Sequence, residues 1–79
     1  MGALKTKYKY IEFVQESNMY QANPIWRCKN KRHGSQLGIV EYYPEWKQWV
    51  IGAIDHRNIF SADCLDDISH FLKQLNSGV

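Results

Sequence analysis

The sequence predicts an α+β domain: a three- or four-stranded antiparallel β-meander with one C-terminal α-helix packed on one face. Two patterns lead there. Between residues 8 and 54, runs of alternating apolar and polar residues are separated by short turn signals, as in strands with one face buried. From Ala62 to Leu75 the apolar spacing becomes helical behind a serine. Length adds a constraint, because a chain of 79 residues buries only about 60% of its unfolded surface and needs most of its apolar side chains for one core. Residues 1–79 are therefore one small domain, with 1–7 and 77–79 expected to fray.

"YKYIEFVQES" (8–17) alternates as a strand, with Ile11 and Phe13 on one face and Tyr10 and Val14 on the other. The polar run "ESNMYQANP" ends it, and Pro24 biases Asn23 toward extended backbone ahead of a new strand from Ile25. "IWRCKNK" (25–31) sets Trp26 and Cys28 against Arg27, Lys29 and Lys31, and "RHGSQ" reads as a hairpin loop around Gly34. "LGIVEYY" (37–43) and "WKQWVIGAI" (46–54) follow, joined by a turn at Pro44-Glu45. If Tyr43 and Trp46 close that turn, Val40 lies opposite Trp49 and Tyr42 opposite Lys47. A five-residue first loop then places Trp26 against Tyr42 and Cys28 against Val40. One face reads Trp26, Cys28, Val40, Tyr42, Trp49 and Ile51; the other holds Arg27, Lys29, Ile39, Glu41, Tyr43, Trp46, Gln48 and Val50. A one-residue slip in either loop would exchange the faces of a whole strand.

After the loop "IDHRN", Ile59-Phe60 can add a short edge strand. Ser61 is an N-cap and Asp63 a first-turn carboxylate favoured by the helix dipole. Cys64, Leu65, Ile68, Phe71, Leu72 and Leu75 form one apolar stripe, and Asn76-Ser77-Gly78 stops the helix.

A net charge of +2 is too small for a long-range field that recruits nucleic acid. Its distribution is uneven: nearly all Lys and Arg lie before residue 58, while Asp63, Asp66 and Asp67 crowd the helix, which predicts a basic and an acidic side. Cys28 and Cys64 have neither metal nor redox spacing and are read as reduced core thiols. With no apolar run near 20 residues and no signal-peptide centre at the N-terminus, the expected setting is cytoplasmic, away from membranes.

Chemistry is sparse. Asp66 and His70 stand four apart on the helix, but two groups do not complete a metal site, and they are read as a solvated pair. His33 and His56 fall in loops. Cys64 sits on the apolar stripe and Ser61 is taken up as a cap, so neither is assigned as a nucleophile. No triad or phosphate-binding glycine loop is present, and no catalytic residue, metal or cofactor is assigned.

The basic hairpin "RCKNKRHG" carries the binding expectation. Arg27, Lys29 and Lys31 alternate onto one face, and Arg32 and His33 extend the charge into the loop, as a phosphate-contacting stripe would. The plain alternative is a solvated face whose lysines discourage edge pairing. Tyr43 and Trp46, from the ring-rich "EYYPEWKQW" (41–49), fall on the same face, where they would stack on a flat ligand or anchor a protein partner. Solvent, the N-terminal strand, a second subunit and a ligand are all open as what covers those two rings.

"WRCKN" (26–30), "LGIVEYYPEWKQWV" (37–50) and "FSADCLDDISHFL" (60–72) together resemble a family of small bacteriophage and bacterial proteins without an assigned activity. The shared pattern is W-x-C-x-N, then LG-x-[IV] running into aromatic-Pro-x-Trp, then FS-x-x-C-L-x-D-I, and it covers roughly residues 25–75. "GAIDHRN" departs from the more apolar or proline-containing link of that pattern. The resemblance implies a non-enzymatic phage or prophage binding protein in the bacterial cytoplasm. Such a protein would inhibit a host protein or sequester a small anionic ligand such as a nucleotide signal. Its contact residues would be Tyr43, Trp46, Arg27, Lys29, Lys31, Arg32 and His33. The rival expectation is a nucleic-acid-binding module using the basic hairpin, and a homo-oligomer is compatible with either.

Overall fold

The computed structural model describes residues 3–17 and 22–78. Four antiparallel strands, β1 (Ile11–Glu16), β2 (Ile25–Asn30), β3 (Gln36–Tyr43) and β4 (Gln48–Ala53), form an open sheet in chain order, and α1 (Ala62–Asn76) packs across one face. The break expected between the first two strands falls partly on residues 18–21, outside the described residues. No helix among the described residues is long and apolar enough to cross a membrane.

The faces follow the alternation, and the registers do not. Trp26 lies opposite Val40, Cys28 opposite Gly38, Tyr42 opposite Trp49 and Val40 opposite Ile51. Both hairpins are thus displaced by two residues from the expected pairing, which preserves the side of every side chain because the strand period is two. In the second hairpin the reason is a four-residue loop, 44–47. The Trp46 N–H donates to the Tyr43 carbonyl, the Lys47 N–H donates to the Pro44 carbonyl, and Lys47 takes a left-handed conformation at φ 53°. In the first hairpin, a bulge leaves Lys29 opposite Gln36 and makes Leu37 an extra residue that packs on the core.

The first strand also starts later than the alternation implies. The Tyr8 N–H donates to the Ile11 carbonyl and the Phe13 N–H to the Thr6 carbonyl, so residues 8–10 turn and Lys7 pairs with Glu12 along the outer edge of β1. Residues 4–8 are docked where fraying is expected of 1–7. Leu4 packs on the core, and the Gln74 side chain accepts from the Lys5 N–H at 2.9 Å and donates to the Lys5 carbonyl at 3.0 Å. At the other edge the Asn76 side chain does the same to Trp49, accepting from its N–H at 2.6 Å and donating to its carbonyl at 3.4 Å.

Ile11, Phe13, Trp26, Cys28 and Val40 from the sheet meet Ile68 and Phe71 from the helix. Phe71 stacks on Phe13 with ring centroids 3.9 Å apart and receives the edge of Trp26 at 5.1 Å. Trp49 packs beside this core with Tyr42 edge-on against it. Ser61 caps the helix by accepting from the Cys64 N–H, and the Ser77 N–H closes the far end on the Lys73 carbonyl. Leu65, assigned to the buried stripe by its spacing, is exposed. The edge strand that Ile59-Phe60 could add does not form: Ile59 is 89% exposed while Phe60 turns onto the core.

One close approach makes a prediction. A Cβ at Gly38 would lie 2.8 Å from the Gly52 carbonyl oxygen and 3.2 Å from the Ile51 side chain, whereas one at Gly52 would meet nothing within 4 Å. Gly38→Ala should therefore lower stability by about 1–3 kcal/mol, the range for forcing atoms into a packed site. Gly52→Ala serves as the near-neutral control. Urea midpoints that shift equally in the two variants would contradict the packing.

Candidate functional site

The seven residues proposed from sequence do not form one surface. Arg27, Lys29 and Tyr43 lie on the open face of the sheet, opposite the helix. There the Arg27 guanidinium donates from Nε to Glu16 and from a terminal nitrogen to Gln36 Oε1 at 3.0 Å. Lys29 is paired in register with Glu12, and Glu41 stands on the same face. Lys7, bridged opposite Glu12, adds a third cation to this face, so three carboxylates balance three cations and the stripe loses its phosphate-contacting character.

Trp46 sits in the loop after β3, 65% exposed, with Tyr43 edge-on to it at 5.0 Å. The Tyr43 hydroxyl donates to Glu45 at 3.2 Å. This aromatic pair lies at one end of β3, and Lys31, Arg32 and His33 lie at the other. At roughly 3.3 Å per residue the two groups stand on the order of 20 Å apart.

The basic loop is built by Asn30. Its side-chain oxygen accepts from the Arg32 N–H at 2.9 Å and the His33 N–H at 3.1 Å, while the Gly34 N–H returns to its carbonyl at 2.7 Å. This side-chain turn needs a short side chain with an acceptor oxygen at that position, and Gly34 supplies the left-handed residue at φ 72°. Lys31 fastens the loop to the N-terminal turn. Its backbone N–H donates to the Tyr10 carbonyl and its ammonium donates to the Tyr8 carbonyl, each at 2.9 Å.

Between the basic loop, the turn at residues 8–10 and the start of α1 lies an open hollow of about 590 Å³. Lys9, Tyr10, Lys31, Arg32 and His33 line it, with Cys64 on the helix side. A second hollow of about 220 Å³ adjoins it, lined by Asp63, Asp66 and Asp67 and sharing Lys9 and Tyr10 as a common wall. The Lys9 ammonium lies 5.2 Å from the Tyr10 ring centroid. Among the described residues the ion pairs are Arg27–Glu16, His56–Asp55 and Arg57–Asp55, so the cations and carboxylates of the two hollows are not paired with one another.

Beneath the N-terminal turn, Tyr8 is buried and polar at its tip. Its hydroxyl lies 2.8 Å from His70 Nδ1 and accepts from the Gln74 amide at 3.1 Å, and the Lys5 ammonium stands 4.8 Å from its ring centroid. Burial and the nearby Asp67 charge raise the phenol above its ordinary value, against the bond from Gln74. His70, expected to pair with Asp66, thus serves the N-terminal turn. In the loop after β4, Asp55 accepts from the Arg57 backbone and guanidinium, which holds its carboxyl below the usual value and leaves that loop self-satisfied. Among the described residues no group of three or more His, Cys, Asp or Glu is placed to hold a metal ion. Cys64 is half-buried and packs on the core as it borders the hollow.

Lys9 and Tyr10 are the site residues that sequence reasoning missed. "YKYI" alternates as a strand does, and the turn that swings both toward the basic loop is fixed by contacts with residues far along the chain. Comparison with protein-family models, with curated proteins and with solved structures finds no match to this chain.

Proposed function

We propose that this is a non-enzymatic binding protein that sequesters a small anionic ligand in the hollow beside the basic loop. The observation that carries this reading is the convergence of Lys9, Lys31 and Arg32, none paired with a carboxylate, around a space within the size range of small-molecule sites. His33 adds a ring nitrogen for hydrogen bonding. Hydrogen bonds to charged groups are worth roughly 1.5–3 kcal/mol each, so losing any one of them should cost about tenfold or more in affinity. The open face does not favour a nucleic-acid module, because Arg27 and Lys29 are offset there by Glu12, Glu16 and Glu41.

The resemblance to small phage proteins supports a counter-defence setting, in which the ligand is a signal withheld from the host. The free thiols Cys28 and Cys64 support a reducing compartment such as the bacterial cytoplasm.

Calorimetric titration with pyrophosphate tests the anion site directly. Binding should weaken as ionic strength rises, and Arg32→Gln should lower affinity about tenfold, the loss of one charge-assisted bond. Trp46→Ala, at the far end of β3, should leave it unchanged. Absence of binding at low salt, or an Arg32→Gln variant that binds as the parent does, would remove this site.

A further inference from the structure

Resting on the anion-binding reading, we infer that the ligand is a nucleotide, held with its phosphates in the basic hollow, its ring against Tyr10 and its hydroxyl or amino donors toward the acidic hollow. Three observations carry this. The two hollows adjoin, and their linings are opposite in charge: Lys9, Lys31 and Arg32 on one side, Asp63, Asp66 and Asp67 on the other. The wall between them is formed by Lys9 and the half-exposed ring of Tyr10. All three carboxylates line the second hollow, and none of them is paired with a cation among the described residues.

An inorganic polyanion uses only half of this arrangement and is repelled by the rest. A ligand with an anionic end and a donor-rich end uses both. The Lys9 ammonium lies over one face of the Tyr10 ring, 5.2 Å from its centroid, so a phosphate oxygen held by Lys9 brings the next part of the same molecule to the edge and opposite face of the ring. A planar base is the group that gains most there, because every base has a face to stack and stacking needs no fixed hydrogen-bond pattern. Beyond the ring the three carboxylates accept hydrogen bonds, which fits ribose hydroxyls and exocyclic amino groups and disfavours a second phosphate.

The test compares ADP, ribose 5-phosphate and pyrophosphate on the full chain by calorimetry at one ionic strength. ADP should bind at least tenfold more tightly than pyrophosphate, with ribose 5-phosphate no tighter than ADP. Tyr10→Ala, at an exposed ring, should cost ADP about tenfold and pyrophosphate markedly less. Asp66→Asn should weaken ADP while strengthening pyrophosphate. Pyrophosphate binding as tightly as ADP would overturn the nucleotide assignment and leave the anion site standing. Binding of none of the three would overturn both. An ADP affinity indifferent to Tyr10→Ala and Asp66→Asn in folded protein, verified by an unchanged melting temperature, would also overturn it.

Discussion

Replacing Phe71 with alanine is expected to destabilise the protein by about 3–5 kcal/mol, the range for a buried ring truncated in a packed core. Phe71 is fully buried, stacked on Phe13 and met by the edge of Trp26, so one side chain joins the helix to β1 and β2. At about 0.05–0.15 kcal/mol per residue, the whole domain has on the order of 4–12 kcal/mol to lose. Loss of this ring therefore removes roughly a quarter or more of the stability of the domain. Neighbouring rings cannot fill the space, because Phe13 is fixed on a strand and Trp26 is held by the adjacent one. Urea titration followed by far-ultraviolet circular dichroism would show the midpoint collapse, and Phe71→Leu should lose less than half as much. A Phe71→Ala variant within about 1 kcal/mol of the parent would mean that the helix is not seated on Phe13 and Trp26.

Alkali should expose a second weakness of the core. Burial, and then the neighbouring Cys64, push the Cys28 thiol from about 9 up to about 12. The folded state thus holds this proton more tightly than the unfolded state. Stability from this group is complete below pH 9, falls as the unfolded thiol ionises above that, and is lost by about pH 12. Each pH unit in that window costs up to about 1.4 kcal/mol, so the thiol alone brings the loss to the order of 4 kcal/mol. Tyr8, also raised, adds a decline in the same direction at the upper end. Urea midpoints measured at pH 8 and pH 10.5 should fall steeply in the parent and less in Cys28→Ala. Equal falls in the two proteins would show that the thiol is not the cause.

Much of this architecture is legible in the sequence because it rests on local periodicity. The alternation around Trp26, Cys28 and Val40 marks the buried face, and the serine cap and apolar stripe mark the helix. The registers were not legible, because each depends on the backbone of one loop. Pro44-Glu45 reads as a two-residue turn, and only the left-handed Lys47 makes it four. The turn at residues 8–10 is hidden for a different reason: Tyr8 is held by His70 and Gln74, more than sixty positions away. That contact draws Lys9 and Tyr10 out of the strand pattern and into the hollow. Lys31 and Arg32 are visible as cations in a loop, with His33 beside them. The balance of Arg27 and Lys29 by Glu16 and Glu12 emerges only once β1 and β2 are paired.

The two amides near the end of the helix bear on how the molecule behaves in a crowded solution. A four-stranded open sheet offers two borders along which strands of other molecules can add, and such addition is how chains of misassembled protein grow. Here Asn76 occupies the backbone groups of Trp49 on one border, and Gln74 occupies those of Lys5 on the segment lining the other. An incoming strand finds a rung already taken on each side. The helix that closes the core thus also takes up backbone groups along both borders of the sheet.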